Sequence, residues 1–170
     1  MDTIKKTIEE VIKKHDHIDV LINNAAALIR KPFEQFSAEE TEKIYRVNVF
    51  SIMELMRVVI PMMKRGHILN IGSVGGIRGS VKFPGLSAYS SSKAALIGLT
   101  ECLAEEYKNK NISFNCIAFG SVQTEMLETA FPGFKAPMTA RQAAEFVAYF
   151  AVNGRNCFNG KIIEMSASTP

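Results

Sequence analysis

The stretch Ser87-Ala88-Tyr89-Ser90-Ser91-Ser92-Lys93-Ala94-Ala95 carries a phenol and an ammonium four positions apart at the head of a helical segment. At 3.6 residues per turn, both side chains fall on one helical face. A phenol with its ordinary pKa of about 10 is a poor acid-base catalyst near neutrality. An ammonium beside it favours the phenolate and draws that pKa down, so the pair is expected to exchange a proton with a substrate hydroxyl or carbonyl. In a chain with 4 tyrosines and 20 Lys plus Arg, one such pair is close to what chance supplies. On spacing alone, an i,i+4 contact on a solvated helix face is the better account of it. Its meaning rests on the elements that would position it.

Residues 3–15 read as an amphipathic helix: Ile4, Ile8, Val11 and Ile12 form an apolar stripe, and Asp2 or Thr3 can cap it. The apolar run Ile18-Asp19-Val20-Leu21-Ile22 suits a strand buried on both faces and stops at Asn23-Asn24-Ala25-Ala26. Ser37 and Glu40 form a capping box that opens a helix to about Lys64, apolar nearly all round from Val47 and loosened at Pro61. A second strand, 67–71, ends at Gly72-Ser73; a glycine-bearing loop leads into the helix of Tyr89 and Lys93, which runs to about Lys108. Residues 112–119 form a third strand, 120–138 a loop, and Thr139 and Gln142 cap a helix to about Val152. The last strand is 161–165. This alternation predicts one α/β domain over 1–170: a Rossmann-like parallel sheet of about four strands with helices on both faces. Ligands of such sheets sit beyond the carboxyl ends of the strands. Here those ends are Asn23-Asn24, Gly72-Ser73 and Phe119-Gly120, and Tyr89 opens the helix after the second.

Composition narrows the function classes. Hydrophobic content of 47% with 22% charged residues fits a folded globular chain. The net charge of +3 is scattered, giving little support to nucleic-acid binding. Cys102, Cys116 and Cys157 are odd in number and set in apolar surroundings, which predicts buried free thiols and a reducing, cytoplasmic location. His15, His17 and His67 lack companion ligands at metal spacing, so no metal is expected. No run reaches the length of a membrane span.

Taken in order, these residues resemble the short-chain dehydrogenase/reductase family. Its Asn-Asn-Ala-Gly signature stands here as Asn23-Asn24-Ala25-Ala26, and its helix-borne asparagine as Asn48 in Arg46-Val47-Asn48-Val49. Its catalytic serine matches Ser73 in Asn70-Ile71-Gly72-Ser73, and its Tyr-x-x-x-Lys pair matches Tyr89 and Lys93. The stretch after its sixth strand matches Phe119-Gly120-Ser121-Val122-Gln123-Thr124. The resemblance implies hydride transfer between NAD or NADP and a small carbonyl or secondary alcohol. Tyr89 would be the general acid/base, Ser73 would hold the substrate oxygen, and Lys93 would lower the Tyr89 pKa and bind the nicotinamide ribose. Asn48 would anchor a water relaying protons to Lys93. Asn24, Ala25, Gly120, Val122 and Thr124 would join Tyr89 and Lys93 in binding cofactor.

The match also has departures. Ala26 replaces a family glycine, Phe119 a proline, Ser166-Ala167-Ser168 a glycine-rich stretch, and the loop from Ser73 to Tyr89 is longer by about three residues. Family members begin with a strand, a Gly-rich turn and a helix that hold the pyrophosphate and adenosine. This chain opens on what resembles the third helix, so an N-terminally truncated form of the fold is expected, by nature or by gene model, with NAD versus NADP preference unassigned. Gly72, Gly75, Gly76 and Gly79 are expected to shape the substrate loop. An open strand at 19–22 predicts cover by another chain, and the greasy helices 38–64 and 88–108 predict a homodimer or homotetramer. The alternative function is a non-catalytic, truncated member of the fold that serves interaction or assembly.

Overall fold

The structure is a computed structural model that describes residues 2–167, with side chains from residue 4 onward. The capping expected of Asp2 or Thr3, and Ser168, lie outside the described residues. In chain order the elements are α1 (Asp2–His15), β1 (Val20–Asn23), α2 (Ala38–Tyr45), a π-turn (Arg46–Phe50), α3 (Ser51–Val59), β2 (Gly66–Ser73), α4 (Ser87–Glu106), β3 (Ile112–Phe119), β4 (Val122–Gln123), α5 (Glu125–Ala130), β5 (Met138–Thr139), α6 (Ala140–Asn153) and β6 (Lys161–Met165).

Four strands pair in parallel in the order β1-β2-β3-β6. Successive strand residues point to opposite faces, and the apolar content of β2 and β3 is divided accordingly. Ile68, Ile112 and Phe114 face a core completed by Ile52, Met56 and Val59 of α3 and Leu96 of α4, with Ile8 of α1 against it. Leu69 and Ile117 face the other way, onto Phe150 and Ala151 of α6. Helices therefore cover both faces, the Rossmann-like arrangement expected. Each fully buried large apolar side chain here contributes about 1.5–3 kcal/mol. Among the described residues no helix is long and apolar enough to cross a membrane.

Buried polar groups fix the register. Asn23 Nδ2 donates to Asn70 Oδ1 at 2.8 Å, Asn70 Nδ2 to Thr100 Oγ1 at 2.9 Å, and Thr100 Oγ1 to the Leu96 carbonyl at 2.8 Å. The chain of bonds runs from the edge strand β1 through β2 into α4, and a one-residue slip would orphan every member. His67 does the same on the opposite side. Its Nδ1 donates to the Ala151 carbonyl at 2.9 Å, so its Nε2 accepts from Asn115 Nδ2, also at 2.9 Å. Burial lowers its pKa and keeps it neutral.

Three expectations are corrected. The helix expected across 38–64 is not continuous: its capping box at Ser37 and Glu40 is present, but a π-turn interrupts it at 46–50, where the Ser51 N–H reaches back five residues to the Arg46 carbonyl. Asn48 sits in that turn with its side-chain amide bonded outside the helix, to Ala27 and Ser92. The loop expected over 120–138 holds a helix, α5, capped by Thr124, and the short ladder β4–β5. Of the three thiols only Cys116 is buried; Cys102 lies on the outward side of α4 and Cys157 in the turn after α6, both exposed.

Replacing Asn70 by alanine strips the acceptor from Asn23 and the donor from Thr100 inside the core. The expected loss is about 2–4 kcal/mol, or roughly 5–15 °C in Tm. Thermal unfolding followed by circular dichroism checks it, and an unchanged Tm would remove the ladder from the account of the register.

Candidate active site

The carboxyl ends of β1, β2 and β3 open onto one cavity of about 700 Å³. Asn24 and Ala26 come to it from the turn after β1, Ser73 from the end of β2, Tyr89 and Lys93 from the first turns of α4, and Gly120, Val122 and Thr124 from the segment after β3. Seven of the nine residues singled out in the sequence thus line one space. Ala25 does not, and neither does Asn48.

Ser73 lies where β2 ends. Its Oγ accepts from the Gly75 N–H at 3.2 Å, capping the turn at Val74–Gly76, and its hydroxyl stands beside the Tyr89 phenol, where it works against the rise in that phenol's pKa. Gly76 lets this turn lie directly on α4, since a Cβ there would stand 2.8 Å from the Lys93 carbonyl carbon and 2.9 Å from the Ala94 nitrogen. Only glycine permits that approach, which brings the Ser73 turn against α4 at Lys93, one helical turn beyond Tyr89. The longer loop that follows is closed by Lys82, whose Nζ donates to the carbonyls of Gly75 at 2.7 Å and Ile77 at 2.6 Å and to Ser80 Oγ at 2.9 Å. Nothing in the sequence marks Lys82, because a lone lysine in a polar loop reads as a solvated charge.

Lys93 is 1% exposed. Its Nζ donates to the Ile71 carbonyl at 2.7 Å and lies 5.8 Å from the centre of the Tyr89 ring. Burial brings its pKa down from 10.5 to about 8. Cys116 gives it no counter-charge at neutral pH, because burial pushes that thiol up to about 12. Tyr89 departs from the expectation drawn from spacing: its pKa is raised, not lowered. Burial of the phenol is the larger influence and the Ser73 hydroxyl opposes it, while the Lys93 ammonium stands over the ring.

Asn48 is wholly buried with its amide fully engaged. Its Oδ1 accepts from the Ala27 N–H at 2.7 Å, and its Nδ2 donates to the Ala27 carbonyl and to Ser92 Oγ, each at 2.9 Å. The side chain pins the turn after β1 to α4 through Ala27 and Ser92. The Thr124 hydroxyl accepts from the Leu127 N–H at 3.2 Å as the cap of α5.

Sequence reasoning missed the apolar wall of the cavity: Phe83, Leu86, Met126, Leu127, Phe131 and Phe134. Its signal was present, since Phe131 and Phe134 bracket Pro132-Gly133 in what reads as a surface loop, where two large apolar side chains invite a reason.

A parallel α/β sheet with a polar cluster beyond its strand ends defines a doubly wound fold of the dinucleotide-binding type. The model of the short chain dehydrogenase family matches residues 1–133, and the chain belongs to that family. It is 35% identical over 146 residues to a 3-oxoacyl-acyl-carrier-protein reductase of Thermotoga maritima, covering 84% of this chain and 56% of the relative. It is 30% identical over 182 residues to Dehydrogenase/reductase SDR family member 4 of Mus musculus, covering 98% and 64%. Across three bacterial 3-oxoacyl reductases the chain spans between 50% and 70% of their length. The fold superposes on a Serratia marcescens short-chain dehydrogenase/reductase mutant with a TM-score of 0.84 at 27% identity, covering 96% of this chain and 70% of that one. A Brucella melitensis 3-ketoacyl-acyl-carrier-protein reductase complexed with NADH gives a TM-score of 0.88 at 23% identity, covering 98% and 73%, a likeness of fold.

The burial of Lys93 has a cost that pH can expose. Its folded pKa of about 8 lies below the ordinary 10.5, so between those values the unfolded chain holds a proton that the folded chain lacks, and stability rises with pH across that window. Below pH 8 the full cost applies, about 3 kcal/mol at about 1.4 kcal/mol per unit. Lys93→Met removes the charge and forfeits about 1 kcal/mol for the Ile71 bond. The variant is expected to melt roughly 4–8 °C higher than wild type at pH 7, with the gap closing by pH 10. A lower Tm at pH 7 would contradict the burial described.

Proposed function

We propose that this chain carries the proton-transfer centre of a nicotinamide-dependent oxidoreductase acting on an apolar carbonyl compound, or on the corresponding secondary alcohol in reverse. The Tyr89–Ser73 hydroxyl pair, set beside a buried Lys93 in an otherwise apolar cavity, carries this reading. Ser73 holds the substrate oxygen. Tyr89 gives its proton to that oxygen as negative charge gathers there, and the Ser73 hydroxyl stays bonded to it through the step. A phenol whose pKa is raised by burial is held protonated at neutral pH, which suits donation and therefore the reduction direction.

The residues fit a nicotinamide nucleoside. Ile71 takes one of the three Lys93 N–H donors, leaving two for ribose hydroxyls. Asn24, Gly120, Val122 and Thr124 form the wall for the ring and its carboxamide. When bound, NADH or NADPH supplies the hydride. Asn48 serves by holding the 24–27 turn in place through Ala27, and so acts as a positioning residue. Relatives named as reductases of 3-oxoacyl chains and as cyclopentanol dehydrogenases agree with the apolar wall. We read the half-buried Met53, next to Phe50, which is 41% exposed, as part of a contact with a second copy of the chain.

The reading is tested by following NADH and NADPH oxidation at 340 nm with a 3-oxoacyl thioester and with cyclopentanone, alongside calorimetry of cofactor binding. Tyr89→Phe is expected to lower kcat by about 10²–10⁴-fold while cofactor binding persists. The wild-type rate should fall as pH rises through about 8, where the Lys93 ammonium is lost. A wild-type chain that binds neither cofactor and turns over neither carbonyl would overturn the reading and favour a non-catalytic role in assembly.

A further inference from the structure

The segment between β3 and α6 leaves and returns through the β4–β5 ladder, Val122 opposite Met138 and Gln123 opposite Thr139. Its ends therefore meet, and its middle, α5 with the turn at 131–134, stands over the cavity. With six residues, α5 is too short to persist as an isolated helix. Its Thr124 cap and the Gln123–Glu128 and Gln123–Ala136 bonds all lie within the segment.

The far end of the segment is gripped from outside by an arginine, the polar tie at this end among the described residues. Arg30, on the loop after β1, donates from Nη1 to the Ala130 carbonyl at 2.9 Å, and its guanidinium lies 4.3 Å from the centre of the Phe131 ring. Phe131 in turn meets Phe83 edge-on, with centroids 6.1 Å apart and planes at 71°. Arg30 is itself seated against the loop before α4. The Lys31 N–H donates to the Gly85 carbonyl at 3.1 Å, and a Cβ on Gly85, whose φ is +84°, would stand 3.0 Å from Arg30 Cγ. Three loops, one from each strand end, thus converge on this guanidinium, and Phe83, Ala130 and Phe131 line the cavity.

We infer that Arg30 is the clasp that holds α5 closed as the far wall of the cavity and thereby sets how long an apolar substrate the site accepts. This rests on the reading of the cavity as the substrate pocket. A guanidinium donates in its plane while stacking through its face, which an ammonium cannot do. Arg30 touches no reacting group and acts through the position of Phe131 and Phe83.

Hydrogen-deuterium exchange on the full chain tests the clasp without any turnover. In Arg30→Gln the amides of 125–134 are expected to exchange about tenfold faster, while those of β2 and β3 keep the wild-type rate; Phe131→Leu should act in the same direction and Arg30→Lys should fall between. With a homologous series of 3-oxoacyl thioesters, Arg30→Gln should raise KM for the shortest member with kcat little changed, moving the kcat/KM preference toward longer chains. Wild-type exchange across 125–134 in both Arg30→Gln and Phe131→Leu would overturn the proposal, as would an unchanged chain-length preference. If the wild-type chain shows no turnover, faster exchange in the variants still upholds the clasp, and only the reading of the pocket falls.

Discussion

One ammonium is taken out of water a single helical turn beyond a half-buried phenol, and the arrangement around the site follows from accommodating them. Lys93 is 1% exposed, with the Ile71 carbonyl as its acceptor, and the half-buried Tyr89 has its phenol beside the Ser73 hydroxyl. A buried ammonium needs an acceptor at a fixed place, and the Ile71 carbonyl can be one only if β2 and α4 are held in register. The Asn23–Asn70–Thr100 ladder holds them, tying the same strand to the same helix three to four turns from its start. Gly76 then lets the turn after β2 lie on the α4 backbone, which sets Ser73 beside Tyr89. Burial, sheet register and close approach are three parts of one constraint.

The surrounding loops inherit their places from that constraint. Asn48 reaches out of a π-turn to fix the stretch after β1. Lys82 gathers three oxygens to close the loop between Ser73 and Tyr89. Arg30 draws the segment after β3 over the cavity. Each loop leaves a different strand end and each is tied by one polar side chain, so the pocket is shaped by directional bonds while its lining stays apolar.

Much of the frame was legible in the sequence because its signals are local. The capping boxes at Ser37 and Thr139 mark helix starts that the structure reproduces, and the apolar run 112–119 coincides with β3. Tyr89 and Lys93 were visible as a pair by their spacing, Ser73 by the strand end it follows together with the family resemblance, and the parallel topology implied that they share one edge. What remained hidden depends on burial and on distant partners. The direction of the Tyr89 pKa shift follows from desolvation, which spacing does not encode. The π-turn at Asn48 requires knowing that Ala27 lies beside it, 21 residues away. Cys102 and Cys157 face outward, and Glu101 beside the one and Arg155, Asn156 and Asn159 around the other are the local sign of it. α5 escaped notice because a six-residue helix between glycines and prolines has no period to show, and Arg30 because its partner Phe131 lies about a hundred residues on.

The protonation of Tyr89 tests the account most directly. A ¹³Cζ-tyrosine NMR titration, with the Tyr89 resonance assigned by its loss in Tyr89→Phe, reads it in the folded chain. Burial opposed only by the Ser73 hydroxyl places the transition above pH 10, and higher still in Ser73→Ala. A transition below pH 10 would mean that the Lys93 charge governs the phenol, and the account of the site built on burial would be wrong.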